Sequence, residues 1–166
     1  MVRPATEKDA PGICDIYNYY IEKTIITFEN TPLSVGQMAD RIKETMTKYP
    51  FLVYESDGKV DGFAYASRWK GRCAYEYSVE STVYVDNKAL GKGAGRKLYG
   101  ALLQKLREQG SHSVIGGISL PNGPSIGLHE SFGFEKVAHF KEVGYKFNKW
   151  IDVGYWELLL DGGPAT

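Results

Sequence analysis

A glycine-rich turn that joins a predicted strand to a predicted helix restricts the possible folds of this chain more than any other segment. It runs from Val83 to Leu98 and contains three alternate glycines, Gly91, Gly93 and Gly95. Glycine adopts positive φ without steric cost, so such a turn can direct successive N–H groups into one concavity. The N-terminus of the following helix adds a partial positive charge. The segment therefore predicts an anion site suited to a phosphate or pyrophosphate, reinforced by Lys92, Arg96 and Lys97.

Two better-known phosphate loops do not fit this segment. A P-loop has Ser or Thr after its Gly-Lys pair, whereas Gly93 follows Lys92. A dinucleotide-binding loop reads G-x-G-x-x-G, and its last position falls here on Arg96 or Leu98, depending on which glycine begins it. Taken alone, the segment is compatible with an anion site of another class or with a turn that binds nothing.

Length and charge exclude several classes of protein. The chain has 166 residues, a size typical of one domain that buries about 70% of its unfolded surface. We expect a single domain over residues 1–160 and a tail over residues 161–166. Twenty basic residues balance twenty acidic ones, which argues against a nucleic-acid partner because phosphate neutralisation needs a basic surplus. No membrane partner is expected, since no run approaches the roughly 18 apolar residues that span a bilayer.

The cysteines and histidines show no metal or disulfide pattern. Cys14 and Cys73 lie far apart, and neither belongs to a CxxC or Cys/His motif. We therefore expect no disulfide framework, no metal site and a reducing, cytoplasmic location. Cys73 has no base beside it and is interpreted as an ordinary cysteine. His112 and His139 lie on predicted strands without neighbouring partners, and we assign them no role.

Hydrophobic periodicity predicts a mixed α/β layer fold rather than a doubly wound one. The predicted order is β-α-α-β-β-β-α-β-α-β-β. Helices are expected over residues 9–23, from 34, over 93–109 and over 124–132. Strands are expected near residue 2 and over residues 51–56, 59–69, 75–86, 113–119, 134–144 and 153–160.

Local signals support these bounds. Asp9 is expected to cap the first helix, and Ser34 with Gln37 forms a capping box for the second. Asp57-Gly58 predicts a tight hairpin. The second helix should bury one stripe, made of Val35, Met38, Ile42 and Met46.

This chain resembles the GCN5-related N-acetyltransferase (GNAT) superfamily. The acyl-CoA loop of that family reads [RQ]-x-x-G-x-[GA], which aligns with residues 90–95 except at Leu90, where Arg or Gln is usual. A second family element is Asn122, just before the fourth helix, and the element order agrees along the whole chain. The resemblance implies the GNAT acyl-CoA N-acyltransferase fold, with a central mixed sheet of about seven strands and four helices. It also implies acetyl-CoA as co-substrate and a homodimer.

Within this superfamily the chain looks like phosphinothricin N-acetyltransferases. Four blocks carry that resemblance, namely residues 69–75, 79–85, 128–130 and 150–156. They imply direct acetyl transfer to the amine of a small amino-acid-like acceptor such as phosphinothricin or methionine sulfoximine. Other interpretations stay open: another amino acid or a peptide N-terminus as acceptor, or a non-catalytic acyl-CoA or nucleotide sensor.

The resemblance also implies catalytic roles. Glu80 would act as general base on the acceptor ammonium, provided that burial raises the pKa of its carboxyl. His129 occupies a position where many superfamily members have a Tyr thought to protonate the thiolate. The imidazole could serve as that acid or hydrogen-bond Glu80, and a purely structural histidine is equally compatible with the pattern.

Two further groups are implied to bind ligands. The cofactor set comprises Val83, Tyr84, Val85, Gly91, Lys92, Gly93, Ala94, Gly95, Arg96, Asn122 and Ser125. The backbone of residues 83–85 would bond the pantetheine amides as an added strand does, and a bulge near residues 81–82 would admit them. The acceptor set comprises Lys70, Arg72, Tyr75, Thr82 and Phe28, of which Phe28 is equally compatible with a plain core aromatic. Its cations would hold a phosphinate or carboxylate.

Overall fold

A computed structural model describes residues 1–164 of the chain. Its strands are Val2–Pro4 (β1), Phe51–Ser56 (β2), Lys59–Arg68 (β3), Ser78–Val85 (β4), Ser113–Ser119 (β5), Glu135–Lys146 (β6) and Lys149–Leu159 (β7). Its α-helices are Ala10–Lys23 (α1), Val35–Met46 (α2), Ala94–Glu108 (α3) and Gly123–Glu130 (α4). This element order confirms the predicted mixed α/β fold with seven strands and four helices. Residues 165 and 166 of the expected tail lie outside the described residues.

The strands form a single open sheet in the order β1-β2-β3-β4-β5-β7-β6. Among the strands described in residues 1–164, only the central β4–β5 pair is parallel. Apolar periodicity also predicts a buried stripe on α3 and another on α1, and both are confirmed. One group of buried side chains includes the α3 stripe, made of Leu98, Tyr99, Leu102, Leu103 and Leu106. A second includes the α1 stripe, made of Ile13, Ile16, Tyr17, Tyr20 and Ile21. The prediction for α2 is correct for two of its four residues. Met38 and Ile42 are buried, whereas Val35 and Met46 at the ends of the helix are exposed.

One of the two predicted caps is wrong. Ser34 and Gln37 form the expected capping box at α2, with a 3.2 Å bond from the Gln37 N–H to Ser34 Oγ. Asp9 precedes α1 but does not cap it. Its carboxylate instead accepts the Thr6 N–H at 2.7 Å and pairs with Arg3, because a short 3-10 turn at residues 7–9 comes before α1.

Two strands begin three or more residues away from their predicted start. β4 begins at Ser78 because residues 73–75 form a 3-10 turn. β7 begins at Lys149 rather than Val153 because Phe147 and Asn148, both at positive φ, close a two-residue hairpin. That turn lacks the Asn-Gly or Asp-Gly signature by which such hairpins are recognised.

The sheet opens at its centre because β4 and β5 separate. They pair only over residues 78–80 and 113–115. The predicted bulge near residues 81–82 is wrong, since β4 keeps one register with β3 from Val79 to Val85. β5 instead continues along β7, and the Ser81 hydroxyl, 3.4 Å from the Ile115 carbonyl, lies where strand pairing would have continued.

Candidate active site

Two adjoining cavities open where β4 and β5 separate. The first, which we call the loop groove, has a volume of about 610 Å³ and lies along residues 87–95 and the start of α4. The second, the inner cavity, has about 390 Å³ and reaches past Glu80 to β7. Both are lined by Ile26, Val83, Tyr84, Asn122 and Ser125. A long ligand in the groove can therefore present its end to the inner cavity.

The glycine-rich turn has the backbone geometry expected of an anion site. Gly91 and Gly93 have φ of 78° and 79°, in the left-handed region that favours glycine. Gly93 immediately precedes α3, whose first N–H groups lack partners within the helix. Gly95 lies within α3 instead, where a Cβ would approach Val85 Cγ2 to 3.4 Å. The positive φ inferred for the glycines is thus confirmed at two of the three.

Two of the three cations predicted to reinforce the turn contact other groups. Arg96 donates to Ser131 Oγ at 3.2 Å, and Lys97 lies 5.5 Å from the Tyr54 ring. Lys92 is exposed beside the turn, and so is Leu90, which lines the groove. The N-terminus of α3 adds its own partial positive charge at the turn.

The free edge of β4 supplies backbone groups to the groove. The Asp86 N–H bonds the Asp61 carbonyl, so the alternation of an antiparallel ladder turns the backbone of Val83 and Val85 away from β3. The Tyr20 hydroxyl accordingly donates to the Val85 carbonyl at 2.6 Å. Tyr84 faces β3 with its backbone and contributes its side chain to both cavities.

The start of α4 forms the opposite side of the groove. Asn122 caps this helix, because its Oδ1 accepts the Ser125 N–H at 3.2 Å. Both residues line the two cavities. The cap therefore fixes the wall at the point where groove and inner cavity meet.

Glu80 is the acidic residue of the inner cavity. It is the last β4 residue paired with β5, so its half-buried side chain stands where the strands begin to separate. Burial raises the pKa of the Glu80 carboxyl, and the charge of Lys70 opposes that rise more weakly. Tyr155 lines the same cavity, and burial together with the charge of Glu80 raises the pKa of its hydroxyl.

His129 also lines the inner cavity. Its Nδ1 lies 2.7 Å from the Ser125 carbonyl, which fixes the Nδ1–H tautomer, and the ring packs 4.9 Å from Tyr99. Burial lowers the pKa of the imidazole, which favours the neutral ring at neutral pH. A Cβ on Gly116 would lie 2.5 Å from Nε2, so His129 fits because β5 has glycine there. The bond of Nδ1 is thus made to Ser125 rather than to Glu80.

Hydroxyl groups that the sequence did not single out complete the cavity. Tyr17 bonds Thr27 Oγ1 at 3.1 Å and donates to Glu29, which Arg41 holds at 2.9 Å. Tyr65 lies opposite Thr82 across the β3–β4 pair, and both line the cavity. Tyr17, Thr27 and Tyr65, unlike Thr82, carry no motif, and the packing of α1 onto the sheet brings them together.

The acceptor residues implied by resemblance divide into two groups. Phe28 and Thr82 line the inner cavity. Lys70 lies outside it, 5.2 Å from the Trp69 ring, in a side cavity of about 360 Å³ that also has Tyr155 on its wall. Arg72 and Tyr75 lie on the exposed segment before β4. The fold thus gathers the first two with Glu80 and leaves the last two at the surface.

Neither a metal-binding cluster nor a membrane helix is found in the described part of the chain. Within residues 1–164, no group of three or more His, Cys, Asp or Glu side chains is placed to hold a metal ion. None of the helices described in that range combines the length and the apolar character that crossing a membrane requires.

An acyl-CoA fits the observed site. The turn at Gly91 and Gly93 suits the pyrophosphate, since its N–H groups and the α3 N-terminus favour negative charge. The outward-facing backbone of Val83 and the N–H of Val85 suit an amide-bearing arm, and the groove adjoins the inner cavity that Glu80 lines. All of these features come from the backbone and the packing, so Leu90 does not disturb them.

Comparisons with known proteins agree with this fit. The acetyltransferase (GNAT) domain family matches residues 2–154. A phosphinothricin N-acetyltransferase of Streptomyces viridochromogenes is 42% identical over 94% of this chain and 85% of its own length. An L-methionine sulfoximine/L-methionine sulfone acetyltransferase of Salmonella typhimurium is 35% identical over 99% of this chain and 96% of its own length.

A solved structure has the same fold. The GNAT phosphinothricin acetyltransferase of Sinorhizobium meliloti, determined in complex with acetyl-CoA, superimposes with a TM-score of 0.94. It is 33% identical, and the match covers 100% of this chain and 91% of that one. The resemblance inferred from the sequence is therefore confirmed. The chain belongs to the GNAT acetyltransferase family and is an acetyl-CoA-dependent N-acetyltransferase rather than a sensor.

Proposed function

We propose that this enzyme acetylates the α-amine of small amino-acid-like acceptors of the phosphinothricin and methionine sulfoximine type. The observation that carries the proposal is Glu80, a carboxyl of raised pKa in an inner cavity continuous with the loop groove. The printed activities of relatives that match almost the whole chain support this acceptor class. A cavity of about 390 Å³ suits a compact acceptor.

Glu80 is the general base of this mechanism. Acetyl-CoA supplies an activated acetyl thioester, and an unprotonated amine must reach it. Burial brings the pKa of Glu80 closer to neutral pH, which makes its carboxylate a better acceptor for the ammonium proton. Thr82 and Phe28 line the space in which the amine would be held.

The outward-facing backbone of β4 orients the co-substrate. Val83 lines both cavities, and its N–H faces away from β3, so it is the group best placed to polarise an acyl carbonyl. Val85, Gly93 and Asn122 would hold the rest of the molecule along the groove. These contacts need few side-chain charges, in keeping with the directions of Arg96 and Lys97.

We propose that the His129 ring accepts a hydrogen bond and does not act as a general acid. Its lowered pKa keeps the ring neutral, and Nδ1–H is committed to the Ser125 carbonyl. Nε2 can therefore accept a hydrogen bond from water or from the amine. The departing thiolate would then take its proton from solvent or from the base.

Cations near the entrance would attract the anionic end of the acceptor. The charge of Lys70 acts to lower the pKa of Glu80, against the larger effect of burial. Lys70 and Tyr155 both line the side cavity, and Tyr155 also lines the inner cavity. Arg72 and Tyr75 lie on the following exposed segment. We propose that they close over the acceptor once it is bound, since Arg offers a fork for a phosphinate or carboxylate.

We also propose a single domain over residues 1–160, a cytoplasmic location and a homodimer. The single sheet spanning residues 2–159 supports the first, and two free cysteines support the second. The third is supported by exposed apolar side chains along β6 and β7, namely Val137, Phe140, Val143, Tyr145 and Trp150. Light scattering at several concentrations tests the dimer, and cell fractionation tests the location.

A Glu80→Gln variant tests the mechanism. We expect kcat to fall by about 100- to 10,000-fold at pH 8, with acetyl-CoA binding unchanged, because the amine loses its proton acceptor. The acid limb of the wild-type pH profile should disappear with the carboxyl. Glu44→Gln, on an exposed face of α2, is the matched control. A Glu80→Gln enzyme as fast as wild type would contradict the assignment.

A thiol-release assay tests the acceptor class. The purified chain and acetyl-CoA are combined with phosphinothricin, methionine sulfoximine, ordinary L-amino acids and a short peptide. We expect the first two to give the highest kcat/KM. A preference for the peptide N-terminus would overturn the proposed class without affecting the assignment of Glu80.

A further inference from the structure

The outer wall of the inner cavity contains an irregularity in β6. Phe140 pairs with Val153 and Gly144 pairs with Ile151, so three β6 residues oppose Asp152 alone. A bulge of this kind bends a strand and redirects its side chains. Its central residue, Glu142, has a φ of 52°, in the region that non-glycine residues seldom occupy.

Asp152 holds this bulge in shape. One carboxylate oxygen accepts the Glu142 N–H at 2.8 Å, and the other lies 2.8 Å from His139 Nε2. The Asp152 backbone carbonyl accepts the Leu120 N–H at 2.9 Å, at the end of β5. Neither His139 nor Asp152 lines the inner cavity, and no partner for His139 was expected from its neighbours along the chain. Their contacts account for the unusual backbone at Glu142.

The bulge determines what faces the acceptor space. Val143 lines the inner cavity. Gly144 faces Phe28 so closely that a Cβ would lie 2.4 Å from two ring carbons. Phe28 lines the same cavity, so its ring position depends on the absence of a side chain at residue 144.

A second contact ties the loop before α2 to β6. Lys146 is buried, and its Nζ donates to the Thr27 carbonyl at 2.8 Å. Thr27 Oγ1 lies 3.1 Å from the Tyr17 hydroxyl. Phe28 is therefore anchored through its neighbour while its own ring rests on Gly144.

We propose that the β6 bulge and Phe28 together form a specificity wall that limits the size of the acceptor side chain. Gly144 and Asp152 are positioning residues of this wall, since they act through Phe28 and Val143. The wall is apolar and would pack against the aliphatic part of a compact acceptor. The inference rests on the proposed function and adds which residues select among acceptors.

Gly144→Ala is the direct test. The added methyl group must displace the Phe28 ring, and one methylene in such a pocket is worth about 10- to 200-fold in discrimination. We expect the kcat/KM ratio between phosphinothricin and a longer acceptor to change by at least about tenfold, with KM for acetyl-CoA within about twofold. Gly36→Ala, where the nearest atom is Ser34 Oγ at 3.9 Å, is the control.

A double-mutant cycle shows whether the effect passes through the ring. Phe28→Ala should raise activity on longer acceptors relative to phosphinothricin. In that background Gly144→Ala should have no further effect on the ratio. Independent, additive effects of the two substitutions would overturn the proposal.

The outcomes are separable. Acetyl-CoA binding shows whether Gly144→Ala folds. If it does not fold, Phe28→Ala becomes the test, and an unchanged kcat/KM ratio between phosphinothricin and a longer acceptor in that variant overturns the wall. If the wild type is active and the folded Gly144→Ala enzyme keeps the wild-type kcat/KM ratio between acceptors, the specificity wall is refuted but the proposed function is not. A wild type that releases no acceptor-dependent thiol refutes the proposed function.

Discussion

Gly116 provides the sharpest structural prediction because β5 touches the ring of His129 at this residue. A Cβ built there would lie 2.5 Å from Nε2 and 2.8 Å from Cδ2. The ring cannot easily move aside. It is 4% exposed, its Nδ1 is bound to Ser125, and aromatic rings of Tyr99 and Phe134 lie 4.9 and 5.1 Å away. Gly116→Ala therefore overpacks the contact between β5 and this ring.

Overpacking of this kind costs about 1 to 3 kcal/mol. For a domain of this size, each kcal/mol corresponds to a change in Tm of about 2 to 4 °C. We therefore expect Gly116→Ala to unfold about 2 to 12 °C below wild type. Turnover should fall as well, since His129 must shift within the inner cavity.

Differential scanning fluorimetry and urea unfolding measure the effect. Gly127→Ala is the matched control, because a Cβ there has no atom within 4 Å outside its own helix among the described residues. Alanine in an exposed helix is favoured over glycine by about 0.5 to 1 kcal/mol, so this variant should melt at or above the wild-type temperature. A glycine-to-alanine substitution is thus expected to lower the Tm at residue 116 and to keep or raise it at residue 127.

A double mutant isolates the cause. In a His129→Ala background the added methyl group has room, so most of the penalty of Gly116→Ala should disappear. A Gly116→Ala protein within about 0.5 kcal/mol of wild type would refute the steric reasoning, as would a penalty that persists without the ring.

Two further predictions concern the N-terminal half. Asp9→Asn should cost about 1.5 to 3 kcal/mol at pH 7, because the buried carboxylate bonds Arg3 and the Thr6 N–H. Arg3 lowers the pKa of Asp9, so this stability is present above the unfolded pKa of about 3.9 and is lost as pH falls through the folded value. The difference in free energy of unfolding between wild type and Asp9→Asn should therefore stay constant down to about pH 4 and shrink as the pH falls further. A difference that does not shrink below about pH 4 would contradict the linkage. Ser34→Ala should cost about 1 kcal/mol by removing the capping box, visible as a lower Tm, and an unchanged Tm would refute the role of this cap.

Much of the fold could be predicted because its signals are local. The stripes of α1 and α3, the Ser34 box and the positive φ of Gly91 and Gly93 each depend on residues close in sequence. Predictions were less accurate where a distant contact intervened. Asp9 bonds Arg3 instead of capping α1, and only the middle of α2 is buried.

For the candidate site, the residues in family motifs could be predicted, whereas other residues of the site could not. Glu80, Thr82 and Asn122 were singled out from family motifs, and they line the inner cavity. Tyr155, which lies in one of the family-like blocks, and Gly144, which faces Phe28, were given no role, because strand periodicity alone does not show which strand residues face a cavity or one of its lining residues. Their position follows from the pairing of β7 with β5 and β6.

The amino-acid sequence was sufficient to recognise the family by its motifs and to predict the order of elements and the positive φ of Gly91 and Gly93. The order of elements and the glycine conformations follow from short-range sterics, since glycine spacing and apolar periodicity restrict the backbone wherever they occur. Which groups face the ligand depended on the three-dimensional packing. It directs the Arg96 side chain to Ser131, turns the backbone of Val83 into the groove and bends β6 beneath Phe28. The physical reason is that side-chain direction depends on strand register and packing, which join residues far apart in the chain.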